Sequence, residues 1–374
     1  KPLPFTTTRS TSATRVNKKG LIEVVENDRP RIDYKDSEDG SLLLEPQRSN
    51  LITYSQDFSN AVWNTGSTRS VNFAPTSTID PQGKTNAYRV TSTASDNQVA
   101  VIGSIVSGQI YTNSIYVRRV SGNGNVALRN VNNEENIFEV SVNDGWKRIE
   151  TTATSTSTFG RLYINLYTVG DVIEIWGGQL EQGSYATSYI PTQGSATTRV
   201  QETASGSGNS EVFNDSEGVL FANIAANAND GTYRFLSVSA GAYANSIRIG
   251  YFTTPNVIEF RVVSGGTPQT QPLNTLSNTT IPTKIAGKYK QNDFALWVNG
   301  FEVDADANGN TPSGLSELAF DDGNSSNNSP FYGKTKEIAY YDTVLTDLEL
   351  ETLTSYRTWE AMVKELNLNI IHNE

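Results

Sequence analysis

The sequence predicts an all-β protein: two β-sandwich domains of the jelly-roll kind in tandem, preceded by an extended segment and closed by one helix. Three observations carry this. Short β-rich runs recur along most of the chain, separated by Gly, Asn and Asp turns such as SGNGN and VNDGW. The composition favours Thr, Ser, Asn, Gly and Tyr over long helix formers. The stretch 171–200 alternates like a strand, breaks at Gly177-Gly178, and turns at Pro191 into a polar passage, as the last strand of one domain would on its way to a second.

Residues 1–48 form the predicted extended, anchoring segment. Residues 1–20 hold little apolar material and read as loosely attached; 21–33 read as a short strand and a Pro-broken turn. A hairpin-like DSEDGS and the apolar strand Leu42-Leu43-Leu44 follow. The first sandwich is placed at 49–198. Its candidate strands are 88–92, 98–102, 110–120, 125–130, 137–142, 146–153, 161–167 and 172–180. Residues 199–215 read as a linker, and 216–345 as the second sandwich. Its strands are expected at 218–225, 233–239, 246–252, 257–263, 283–290, 293–298, 315–320 and 336–341, with Asn299-Gly300 as a two-residue hairpin turn.

Residues 346–374 change pattern. Thr346 and Glu349 make a capping box, and Leu350, Leu353, Tyr356, Trp359, Val363 and Leu366 recur at helical spacing. One helix is expected to about Leu366, packed on the second sandwich in preference to other copies of itself. A short echo, SATRV at 12–16 against SATTRV at 195–200, hints at equivalent boundary segments flanking the first domain.

Charge and residue content narrow the function. A net charge of −11, with no basic cluster stronger than Asn17-Lys18-Lys19 or Arg118-Arg119, argues against nucleic acid and anionic membranes as partners. The absence of cysteine excludes disulfides, thiolate zinc sites and a Cys nucleophile. No apolar run is long enough to insert as a membrane helix, and no leader pattern is visible; the Lys1 start suggests a processed or truncated product. With His372 the single histidine, neither a Ser-His-Asp arrangement nor a multi-histidine metal site can be built.

Two kinds of site remain. In 161–167, Leu162, Ile164 and Leu166 make an apolar face opposite Arg161, Tyr163, Asn165 and Tyr167. In 172–176, Glu174 and Trp176 oppose Ile173 and Ile175, and Tyr116 and Arg118 are expected to join them. A face mixing rings with Arg, Asn and Glu suits glycan: rings stack on pyranose C–H faces and planar polar groups pair with hydroxyls. The competing reading has this face covered by residues 21–44 or by a neighbouring subunit. Glu174 and Glu181 are the one tempting hydrolytic pair, but seven residues apart on a regular strand they point to opposite faces, and the E-x-D-x-E spacing of a sandwich-fold glucanase is absent. Asp304, Asp306 and Asn308, with Gly309 at the sixth position, imitate a calcium loop; its twelfth position is Leu315, so a turn is the better reading and a structural Ca²⁺ the weaker one. Asp321-Asp322-Gly323 is a second such turn, and no other cofactor is indicated.

GLIEVVENDRPRIDY, LLLEPQRSNLITYSQDFSNAVW and IWGGQLEQGSYATSYIPTQGSATTRV resemble a module of tailed-bacteriophage virion proteins that forms a carbohydrate-binding-module-like jelly roll. NDSEGVLFANIAA, IAGKYKQNDFALWVNGFEV and KEIAYYDTVLTDLELETLT look like the concanavalin A-like (laminin-G-like) sandwich that often follows it. The resemblance spans roughly 10–355. It implies a non-enzymatic structural protein of the virion surface: a tail-fibre, head-fibre, spike or decoration component. Its partners would be other virion proteins, further copies of itself (a trimer among the arrangements) and host-surface glycan. Two alternatives stand: a decoration protein that binds no glycan, and a tailspike-type depolymerase. The C-terminal helix extends past the family's usual stop and could serve oligomerisation or docking.

Overall fold

The computed structural model describes residues 4–63, 71–93, 97–323, 329–356 and 362–363. Two antiparallel sandwiches account for most of them. In the first, a five-stranded sheet runs in the spatial order Lys147–Thr154, Ile110–Ser121, Val172–Gln182, Tyr88–Ser92, Val71–Pro75. It faces a four-stranded sheet ordered Glu135–Phe138, Val126–Arg129, Phe159–Leu166, Asn97–Ser104. Alternation dictates what lies between them. Ile115, Val117, Ile173 and Ile175 point inward from one sheet and Val126, Leu128, Leu162, Ile164 and Leu166 from the other, all buried. Asn113 crosses the same core and donates to the Arg129 carbonyl at 2.9 Å, a polar tie between the sheets.

The strand Val172–Gln182 carries the one irregularity that sets the site. Tyr116 pairs with Trp176 and Ser114 with Gln179, so Gly177 and Gly178 together oppose Ile115. Gly177 sits at φ 64°, a conformation open to glycine at little steric cost. This bulge shifts the alternation by one residue, so Ile173, Ile175 and Leu180 all reach the core. Glu174, Trp176, Gln179 and Glu181 consequently share the outer face, which corrects the expectation that Glu174 and Glu181 oppose each other.

The second sandwich pairs a seven-stranded with a six-stranded sheet. The seven run Phe301–Asp306, Asp293–Val298, Thr283–Lys290, Glu217–Ala226, Gly333–Tyr341, Ser41–Leu44, Arg31–Asp33. The six are Thr267–Thr270, Val257–Ser264, Ser246–Tyr251, Arg234–Ser239 and Glu317–Ala319, with Leu273–Thr275 beside Val257–Ser264. Leu220, Ile224, Ile285 and Leu296 join Leu236, Ile247, Ile249 and Phe260 in one buried apolar core.

The last two strands of the seven come from the predicted anchoring segment, so its described residues, 4–48, do not form a loose extension. Leu44 pairs with Gly333, and Thr6–Thr8 pairs with Thr203–Ser205 inside the predicted linker. A buried ion network explains the attachment. Glu202 holds Arg9 at 2.5 Å and Arg31 Nε at 2.8 Å; Glu45 holds Arg31 Nη2 at 2.8 Å and Arg199 at 2.7 Å. None of these five side chains is more than 5% exposed. The second echo segment reaches the residue just before the first: the Val200 amide donates to Thr11 Oγ1 at 3.1 Å.

The C-terminal helix is shorter than its apolar stripe suggests. It spans Asp347–Thr354, begins with the predicted Thr346–Glu349 capping box, and buries Leu350 against Val219, Phe221, Ala286 and Trp297 of the second sandwich. It stops because the hairpin turn captures the chain. The Gly300 amide donates to Thr354 Oγ1 at 3.0 Å, Lys284 Nζ to the Ser355 carbonyl at 2.7 Å, and Tyr356 OH to Asn299 at 3.2 Å. Ser355 is extended, with ψ 161°. Trp359 and Leu366 lie outside the described residues, and 362–363 are helical. No described helix is long and apolar enough to cross a membrane.

Removing one member of a buried ionic network strands its partners in low dielectric. Glu202→Ala, which deprives both Arg9 and Arg31, is expected to destabilise the chain by about 3–5 kcal/mol in denaturant titration. A loss below about 1 kcal/mol, the range of an exposed pair, would show that the network does not hold the N-terminal segment in place.

Candidate functional site

The predicted polar-aromatic face divides between the two sheets of the first sandwich. Arg161, Tyr163, Asn165 and Tyr167 follow the strand Phe159–Leu166 on the outer side of the four-stranded sheet. Tyr116, Arg118, Glu174 and Trp176 lie on the outer side of the five-stranded sheet. The core separates the two groups, so they cannot form one surface. Strand alternation places these side chains outward, and non-local pairing decides which sheet holds each strand.

On the four-stranded sheet Arg161, Tyr163 and Tyr167 are accessible and organised, while Asn165 is buried. Arg161, Tyr163 and Tyr167 are half-buried, and the Arg161 guanidinium sits 5.9 Å from the Tyr163 ring centre. Glu135, from the edge strand Glu135–Phe138 two places away, is the organiser. It accepts from Asn165 Nδ2 at 3.1 Å, from Arg129 Nε at 2.8 Å and from the Tyr167 hydroxyl. The Tyr167 bond leads the causes that hold the Glu135 carboxyl below its ordinary range. Glu135 and Arg129 escaped sequence reasoning because their strands are only four residues long, without a clear alternation.

On the five-stranded sheet the residues are spent on structure. Trp176 is fully buried, edge-on to Tyr116 at 5.4 Å and 4.5 Å from Tyr189, with Ile22 and Val16 of the N-terminal segment packed over it. No sugar can reach that ring. The competing reading, that residues 21–44 cover this face, is therefore the correct one for Trp176. Glu174 accepts from Thr76 at 3.0 Å, Thr78 at 2.8 Å, Arg89 at 2.9 Å and Arg118 at 2.7 Å. Burial opposes its ionisation, but the bonds from Arg89, Thr78, Arg118 and Thr76 prevail and its pKa is lowered. Glu181 goes the other way: burial outweighs its bonds to Thr187 and Gln179, and its pKa is raised. Both carboxyls are fully engaged by protein groups.

Beside this covered face lies a cavity of about 350 Å³. Its walls come from the N-terminal segment (Arg15, Asp33, Lys35), the first sandwich (Tyr116, Arg148, Tyr185) and the second sandwich (Asn227, Thr280, Lys334). Tyr116 is the one predicted site residue that lines it. Arg148 could have been found as the outward residue between Trp146 and Glu150. Tyr185 sits in the Gly/Ser/Tyr passage, where no periodicity marks a side chain's direction.

Asp304 and Asp306 lie on the exposed edge strand Phe301–Asp306. Each accepts from a nearby amide, Asp304 from Ala305 at 2.9 Å and Asp306 from Asn308 at 3.0 Å, the geometry of a turn. Asp321 does the same with the Gly323 amide at 2.8 Å. Among the described residues no group of three or more His, Asp or Glu is placed to hold a metal ion. His372 lies outside them.

No protein-family model matches the chain, and no curated protein does. Among solved structures, it is similar to the binding domain of botulinum neurotoxin serotype G, with 8% identity and a TM-score of 0.24, covering 77% of this chain and 47% of that one. It thus spans about half the length of that neurotoxin chain. It is also similar to the tandem N-terminal CBM22-1–CBM22-2 domains of Paenibacillus barcinonensis Xyn10C, with 12% identity and a TM-score of 0.27, covering 80% and 99%. Both likenesses are too remote to bear on what this chain binds.

Glu45 forms part of the cavity wall and supplies a pH test. Burial opposes its charge, but Arg199 and Arg31, with two bonds from Ser188, hold its carboxyl well below the ordinary 4.5. A folded pKa below the unfolded one contributes stability that is complete above pH 4.5 and fades as pH falls below it. The thermal midpoint is expected to drop below that pH. In Glu45→Gln it should start lower at pH 7 and depend less on acid; an equal acid slope in the variant would count against this role.

Proposed function

We propose that the chain is a non-catalytic component of a tailed-phage virion and that the outer face of its four-stranded sheet contacts host-surface glycan. The carrying observation is the half-exposed group Arg161, Tyr163 and Tyr167, with Glu135 holding the Tyr167 hydroxyl and the buried Asn165 beside it. A ring fixed at its hydroxyl keeps a face for a sugar ring, and a guanidinium already set over Tyr163 limits the ordering cost of binding. The block resemblance to phage virion modules supports the setting: a particle-surface location, other virion proteins as neighbours, and several copies related by symmetry. The engagement of Glu174 and Glu181 by Arg, Thr and Gln partners favours binding over hydrolysis.

A purely structural decoration role is the second reading. The burial of Trp176 beneath the N-terminal segment favours it, since half of the expected sugar face is internal packing.

Glycan-array binding of the intact chain separates the two. Tyr163→Ala and Tyr167→Ala together are expected to weaken any glycan signal about tenfold or more while the thermal midpoint stays near that of the parent. Binding that survives both substitutions rejects this face. Shortened chains after incubation with host capsule or lipopolysaccharide would reject the non-catalytic reading.

A further inference from the structure

The cavity beside the covered face carries an imbalance of charge that its own side chains leave open. Arg15, Lys35, Arg148 and Lys334 border it. Arg15 pairs with Glu23 at 2.7 Å and Lys334 with Asp36. Of the wall carboxylates, Glu45 is taken by Arg31 and Arg199, and Asp33 accepts from the Val16 and Lys35 amides at 2.7 and 3.2 Å. Arg148 and Lys35 form no ion pair with any described carboxylate.

Arg148 is also held still. Its Nη1 donates to the Thr187 carbonyl at 2.6 Å and its Nη2 to Ser114 Oγ at 2.9 Å, and the guanidinium lies 5.4 Å from the Tyr116 ring centre. Its Nε is buried without a partner. A guanidinium carries five N–H groups. One on each Nη is used, the Tyr116 hydroxyl takes a further bond, and the buried Nε has no access to the cavity, so the remaining Nη hydrogen and the fixed charge are what a ligand can meet. A guanidinium held in place suits a carboxylate.

We propose that this cavity binds a carboxylate-bearing monosaccharide unit, with its carboxylate on Arg148 and the exposed Lys35 at the mouth. The space, about 350 Å³, falls within the range of small-molecule sites and exceeds what a lone carboxylate needs. The side facing the second sandwich presents Asn227 and Thr280, which can meet ring hydroxyls, while Tyr116 and Tyr185 supply the less polar wall. The site is separate from the four-stranded face, so the two readings stand or fall independently.

Titration calorimetry of the intact chain tests it, with N-acetylneuraminic acid and D-glucuronic acid as ligands and N-acetylglucosamine and acetate as controls. At least one acidic sugar should bind about tenfold or more tightly than either control, and Arg148→Lys should remove about that factor by losing the fixed guanidinium. Lys35→Glu, at an exposed position, should weaken binding several-fold with an unchanged thermal midpoint, and Tyr163→Ala should leave it intact. Absence of binding by both acidic sugars overturns the proposal, as does acetate or N-acetylglucosamine binding equally well. Should Arg148→Lys fail to fold, undiminished binding by Lys35→Glu overturns it alone.

Discussion

The attachment of the N-terminal segment to the rest of the chain depends on two carboxylates shared among three arginines. Glu202 and Glu45 bridge Arg9, Arg31 and Arg199, joining the N-terminal segment to the passage between the sandwiches. Ions this deeply buried are costly unless every partner is present and aligned. The arrangement is thus close to all-or-none. Once it forms, Arg31–Asp33 and Ser41–Leu44 are delivered to the second sandwich, and Ile22 and Val16 to Trp176 of the first. One polar knot sets the position of a strand pair, a covered face and a cavity wall.

Much of the fold was legible because strand alternation is local. The faces of Phe159–Leu166 and the core role of Ile173 and Ile175 follow from a period of two. What escaped was non-local. Residues 4–16 hold little apolar material, and their attachment comes from Arg9 and from pairing with Thr203–Ser205, neither of which leaves a periodic trace. The helix ended early for a similar reason: its stripe continues, but Lys284 and the Asn299-Gly300 turn compete for the backbone at Ser355. The Gly177-Gly178 break was visible, whereas its consequence for Glu181 required the register against Ser114 and Tyr116.

The site was half legible for the same reason. A sequence tells which residues of a strand point away from the core but not which sheet holds the strand or what lies on top. Tyr163 and Trp176 look alike as outward aromatics; one is half-exposed and the other is buried under Ile22. The place of Arg148 in a cavity wall, held by Thr187 and Ser114, depends on contacts distant in sequence that only the packed structure exhibits.

The pairing of Leu44 with Gly333 bears on how the molecule is made. The ribosome releases Ser41–Leu44 well before Gly333–Tyr341, so the seven-stranded sheet cannot be completed until the intervening chain has been made. Meanwhile the apolar Leu42-Leu43-Leu44 strand has no sheet to join, and contacts this distant in sequence form slowly. The first sandwich, whose strands lie within residues 71–182, can close ahead of it and hold the waiting segment through Ile22 and Trp176. The earlier domain would then act as an intramolecular chaperone for the edge of the later one.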